Sequence, residues 1–73
     1  MLEIKGKISY APLLKMLKKQ KISTYSLLHA GISTSTYHRL KMGGNVNTET
    51  LRRLCWFLDC TISDIVEYIP DND

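Results

Sequence analysis

At 73 residues, 44% of them hydrophobic, the chain makes one domain, near the lower size at which a single core holds without staples. Two cysteines, Cys55 and Cys60, are too few for a disulfide framework, and neither an opening signal peptide nor a run near the roughly 18 apolar residues of a membrane span is present, so the expectation is a soluble, cytoplasmic protein with no membrane association. Net charge is only +3, but ahead of Asp59 all ten Lys/Arg stand against Glu3 and Glu49, a balance of +8, while Asp59, Asp64, Glu67, Asp71 and Asp73 follow with no base at all, which suggests a basic face for a polyanion and an acidic end turned away from it.

The first nine residues, MLEIKGKIS, read either as a flexible arm or as a short β segment. Helical spacing then begins: residues 9–20 carry Leu13, Leu14 and Leu17 inward and Lys15, Lys18 and Lys19 outward, with Pro12 tolerable in a first turn. Ser23 caps a second helix to about Ala30, with Leu27 and Leu28 inward and Gly31 ending it; Ser33 caps a third, Thr34–Met42, stopped by Gly43. Asn47 caps a fourth from Thr48 to about Asp59, where Leu51, Leu54, Cys55 and Leu58 form an apolar stripe. Ser63 is expected to cap a short fifth helix carrying Ile65, Val66 and Ile69 before Pro70.

The third helix is the informative one, because its start, Ser33-Thr34-Ser35-Thr36, is made of poor helix formers. At about 100° per residue, with Tyr37 at 0°, Leu40 falls at about 300° and the buried direction lies near 330°. The opposite face belongs to Ser35 at about 160°, Met42 at about 140°, His38 at about 100° and Arg39 at about 200°, while Thr34 sits at the N-terminal tip. Short hydroxyls followed by His and Arg replace the Glu and Lys of an ordinary solvated face. Short side chains let a backbone approach a surface, and hydroxyl, imidazole and guanidinium all bond base edges or phosphates. The helix N-terminus adds free N–H donors for a phosphate.

Over residues 8–70 the chain resembles the small Cro/lambda-repressor-type helix-turn-helix proteins of the XRE family. The stretches that carry the resemblance, in order, are ISYAPL (8–13), ISTYSL (22–27), GISTST (31–36), RLK (39–41), NVNTETL (45–51), LCWFLDC (54–60) and ISDIVEYIP (62–70). The resemblance implies an all-α, five-helix lambda-repressor-like DNA-binding domain over residues 9–70, with an arm at 1–8 and an acidic tail at 71–73. Helices two and three make the helix-turn-helix, and helix three enters the major groove of double-stranded DNA. Base reading would fall on Thr34, Ser35, His38 and Arg39, overlapping the set the helix angles give. Phosphate contacts would fall on Ser23, Thr24, Tyr25, Thr36, Lys41, Asn45 and Asn47.

Other groupings point to no chemistry. Cys55 lies in an apolar stripe and His38 on the outer face of helix three, so the cysteines and histidines do not make a metal site; no cofactor or small-molecule ligand is expected. No Ser, His and acid stand in a hydrolase context, so no enzyme activity is expected. Tyr10, Tyr25 and Tyr68 read as packing at the core edge. Trp56 points about 150° from the stripe of its helix, so it is exposed, covered by Leu2 and Ile4 of the arm, or buried in a homodimer. The functional expectation is a sequence-specific DNA-binding transcriptional regulator; the rival is a protein-interaction module, antirepressor or antitoxin-like, that keeps the fold.

Overall fold

The computed structural model describes residues 3–71. Its elements in chain order are β1 (Lys7–Ser9), α1 (Ala11–Lys19), α2 (Thr24–His29), α3 (Thr34–Met42), α4 (Thr48–Leu58), α5 (Ile62–Ile65) and β2 (Glu67–Ile69). The expected caps start α2, α3 and α4: Ser23 Oγ accepts from Ser26 N–H at 3.2 Å, Ser33 Oγ from Thr36 N–H at 3.1 Å, and Asn47 Oδ1 from Thr50 N–H at 2.9 Å. Each satisfies a donor that the first helical turn leaves without a partner.

Three boundaries differ from the expectation for physical reasons. Helix α1 begins at Ala11 and not at residue 9, because Ser9 ends β1 and its Oγ accepts from Ala11 N–H at 3.2 Å. Helix α5 is capped by Thr61 and not by Ser63: the Thr61 backbone N–H and hydroxyl both donate to Asp64 Oδ2, at 3.0 and 3.1 Å. Asp64 thus reaches back to the cap residue in the manner of a capping box. Ile69 is not helical but in β2, since the chain turns extended at Val66 (φ −127°, ψ 140°). Strand β2 pairs antiparallel with β1, Lys7 opposite Ile69, Ile8 opposite Tyr68 and Ser9 opposite Glu67. Of the two readings of the opening segment, strand holds for Lys7–Ser9, which takes residues 7 and 8 out of the arm. Leu2 of the arm and residues 72–73 of the acidic tail lie outside the described residues.

The helices α1 to α4 all end in one hydrogen-bond pattern, the Schellman motif, in which a left-handed residue lets the next N–H reach back five residues. The left-handed residues are Lys21 (φ 56°), Gly31 (φ 85°), Gly43 (φ 74°) and Asp59 (φ 51°). The long bonds run from Ile22 N–H to Leu17 O (2.9 Å), Ile32 to Leu27 (3.0 Å), Gly44 to Arg39 (2.8 Å) and Cys60 to Cys55 (3.0 Å). Such a motif brings its first and sixth side chains together. For α1 and α2 those pairs, Leu17 with Ile22 and Leu27 with Ile32, feed directly into the core.

That core joins Tyr10, Leu13, Leu17, Leu27, Ile32, Leu40, Leu54, Leu58 and Ile65, with α5 packed on α1 and α2 on α3. The stripe expected for α4 faces inward, Leu54 being fully buried with Leu51 and Cys55 half-buried. Leu28, expected inward, is 48% exposed; in α2's six residues a single leucine, Leu27, reaches the centre.

Candidate nucleic-acid interface

Burial along α3 follows the angular division read from the sequence. Leu40 is buried and Tyr37 half-buried, while Thr34, Ser35, His38, Arg39 and Met42 are exposed. The four expected base readers therefore share the outward side of one helix. No acidic residue interrupts that helix, and Ser35 and Thr34 hold its N-terminal turn, where backbone N–H groups face outward without helical partners.

The side chains of the remaining expected contact residues are in different states. Ser23 and Asn47 have their side-chain oxygens committed to capping; Asn47 Oδ1 also accepts from the Thr50 hydroxyl at 3.0 Å, which leaves its amide NH2 as the outward donor. Thr36 is half-buried and its hydroxyl accepts from Ser33 Oγ at 3.0 Å. Thr24 and Asn45 are exposed. Lys41 lies with Nζ 5.7 Å from the centre of the Tyr37 ring, a cation–π contact that holds the ammonium on the flank of α3.

Two of the tyrosines read as core-edge packing are instead on the surface. Tyr25 is 68% exposed and meets His29 edge-on, ring centres 4.7 Å apart. Tyr68 sits on the solvent side of β2, with its hydroxyl donating to Lys5 O at 3.4 Å. Tyr10 is in the core. Trp56 is 78% exposed, and Ile4, expected to cover it, is itself 95% exposed, so that part of the arm makes no lid.

Two basic residues outside the expected set bear on the interface. Arg53 on α4 donates from its Nη1 to Gly31 O at 3.3 Å and from Nε to Glu49 Oε1 at 3.3 Å, so it fastens the turn between α2 and α3 to α4. The Glu49-to-Arg53 spacing of four signals the ion pair in the sequence; the contact to Gly31, 22 residues away, has no local signature. The Arg52 hydrogen bond, aided by Arg53 and opposed by desolvation, holds the Glu49 carboxyl at about 2, below its ordinary 4.5. Lys7 is the second: an open groove of about 300 Å³ at the C-terminal end of α3, floored by Leu14 and Leu40, is edged by Lys7 of β1 together with Lys41 and Met42.

Comparison with known proteins identifies the family and the fold. Residues 12–71 match the family model of the Cro/C1-type HTH DNA-binding domain. Among solved structures, the crystal structure of transcriptional regulator VanUg superposes with a TM-score of 0.83 at 29% identity, covering 97% of this chain and 96% of that one. No curated protein sequence matches. Among the described residues, no helix is long and apolar enough to cross a membrane.

Proposed function

Because the chain belongs to the family of Cro/C1-type helix-turn-helix DNA-binding domains, we propose that it is a sequence-specific transcriptional regulator that lays α3 in the major groove of duplex DNA. Thr34, Ser35, His38 and Arg39 read bases in this proposal. Ser23, Thr24, Tyr25, Thr36, Lys41, Asn45 and Asn47 hold the flanking phosphates. The observation that carries the reading is the outward face of α3, which combines small hydroxyls at its start with imidazole and guanidinium one turn on and bears no acid. Arginine bonds O6 and N7 of guanine together, and short hydroxyls let the helix approach closely enough for it to do so.

Binding of the purified chain to a duplex selected from a random pool, and to a scrambled duplex, tests the proposal. Wild type should prefer the selected site and lose affinity steeply with salt, as phosphate neutralisation releases counterions. Ser35→Glu places a carboxylate against phosphates and base acceptors at the point of closest approach, so it should abolish binding to both duplexes. Its circular dichroism should match wild type, since Ser35 is exposed. A folded Ser35→Glu that binds like wild type removes α3 from the groove, and a wild type that ignores DNA at low salt makes the fold a protein-interaction module.

A further inference from the structure

The Schellman motif that ends α4 differs from those of α1 and α2 in the pair it brings together. Where α1 joins Leu17 to Ile22 and α2 joins Leu27 to Ile32, α4 joins two cysteines. The Cys60 N–H bonds to Cys55 O at 3.0 Å and the Asp59 N–H to Trp56 O at 3.4 Å, so both backbones are tied on the same side of the cap. In a Schellman motif the residues joined by that long bond stand on the same side of the helix end, which here sets the Cys60 side chain beside Cys55. Both are free and half-buried, packed against the edge of the core. A disulfide requires its two Cβ atoms about 3.5–4.5 Å apart. A motif that places its first and sixth residues side by side favours that approach while the backbone bonds of the cap stay closed.

We propose that Cys55 and Cys60 are a thiol–disulfide site, closing to an intramolecular disulfide across the C-terminal cap of α4 when a small-molecule disulfide oxidises them, and reopening under a dithiol reductant. The chemistry balances in two exchanges. The Cys55 thiolate attacks one sulfur of the oxidant, forming a mixed disulfide and releasing one oxidant thiolate, which takes up a proton. Cys60 then gives its proton to solvent and attacks Cys55 Sγ; the Cys55–Cys60 bond forms, the mixed disulfide breaks and the second oxidant thiol leaves. Two protein thiols are oxidised by two electrons and one disulfide is reduced to two thiols. Burial above all, then the neighbouring Cys55 and the charges of Asp64 and Asp59, raise the Cys60 thiol above its ordinary value. Cys60 accordingly acts in the second, intramolecular step, where proximity compensates for a scarce thiolate.

The test equilibrates dilute wild-type protein in graded mixtures of oxidised and reduced glutathione, quenches in acid, alkylates the remaining thiols and weighs the products. The expected product is a monomer with neither sulfur alkylated and no glutathione attached. Half-conversion should need a mixture about tenfold less oxidising for the native chain than for the same chain in concentrated urea, because the fold pre-pays the approach of the sulfurs. Cys55→Ser and Cys60→Ser should each stop at a free thiol or a glutathione adduct. A native chain that stays reduced in mixtures that oxidise the unfolded chain overturns the proposal. So does a main product that is a disulfide-linked dimer or a doubly glutathionylated monomer.

Discussion

Arg39 and Lys41 stand two positions apart on α3 and are proposed to act differently. Arg39 gives its backbone carbonyl to the Gly44 N–H, which closes α3, and keeps its guanidinium exposed on the outer face. Lys41 leans on the Tyr37 ring at the flank. If α3 reads bases, Arg39→Ala should cost about 1–3 kcal/mol at the preferred site and relax preference at one base pair. Lys41→Ala should weaken selected and scrambled duplexes alike and flatten the salt slope by about one phosphate's worth. Fluorescence anisotropy on both duplexes across a salt series separates the two outcomes. At this scale the outer face of α3 was legible, because a nine-residue helix with one buried leucine fixes which side faces away. Arg53 was not: nothing in the sequence near it announces that its guanidinium will meet the carbonyl of Gly31.

Helix starts were legible where a side-chain cap marks them, and helix ends where a glycine does. A cap acts within three residues, so Ser23, Ser33 and Asn47 announce themselves, and so should Thr61 with Asp64, a signature overlooked in favour of Ser63. Helix ends depend on a left-handed residue, and only two of the four here are the glycines that advertise one. Lys21 is exposed at φ 56°, where its Cβ crowds the following carbonyl oxygen. Lys21→Gly should therefore stabilise the domain by about 0.5–1 kcal/mol net of the greater freedom of the unfolded chain, read as a raised urea midpoint. The N-terminal end of α4 carries a pH dependence of determined sign. Arg52 first, and Arg53, hold the Glu49 carboxyl at about 2 in the folded state against 4.5. A depressed carboxylate stabilises above its unfolded value and loses that contribution as protons bind, so the Glu49 contribution should be complete above about pH 4.5 and fade toward pH 2. Glu49 is on the surface, so salt should weaken the effect. Urea midpoints for wild type should fall across that window more steeply than those for Glu49→Gln.

For the molecule as a whole, composition and helical periodicity gave the helical class, and the ordered set of short stretches gave the family that residues 12–71 match. A short β segment was one of the two readings of the first nine residues, but β2 and its pairing with β1 escaped. Three residues on each side are too few for an alternating pattern, and their partners lie some sixty positions apart, Lys7 with Ile69. That separation has a bearing on the order of assembly. Every helix cap is closed by residues within a few positions of each other, whereas the β1–β2 ladder must wait for nearly the entire chain to be in place. The ladder should be the last part to form and the first to open, so in native-state hydrogen exchange the amides of β1 and β2 should lose protection well before those around Leu13 and Leu54. Such an opening would move Lys7 away from Lys41, with which it lines the groove beside α3, while the helices stay folded. The positive border of the proposed interface would then have one edge that breathes on its own timescale.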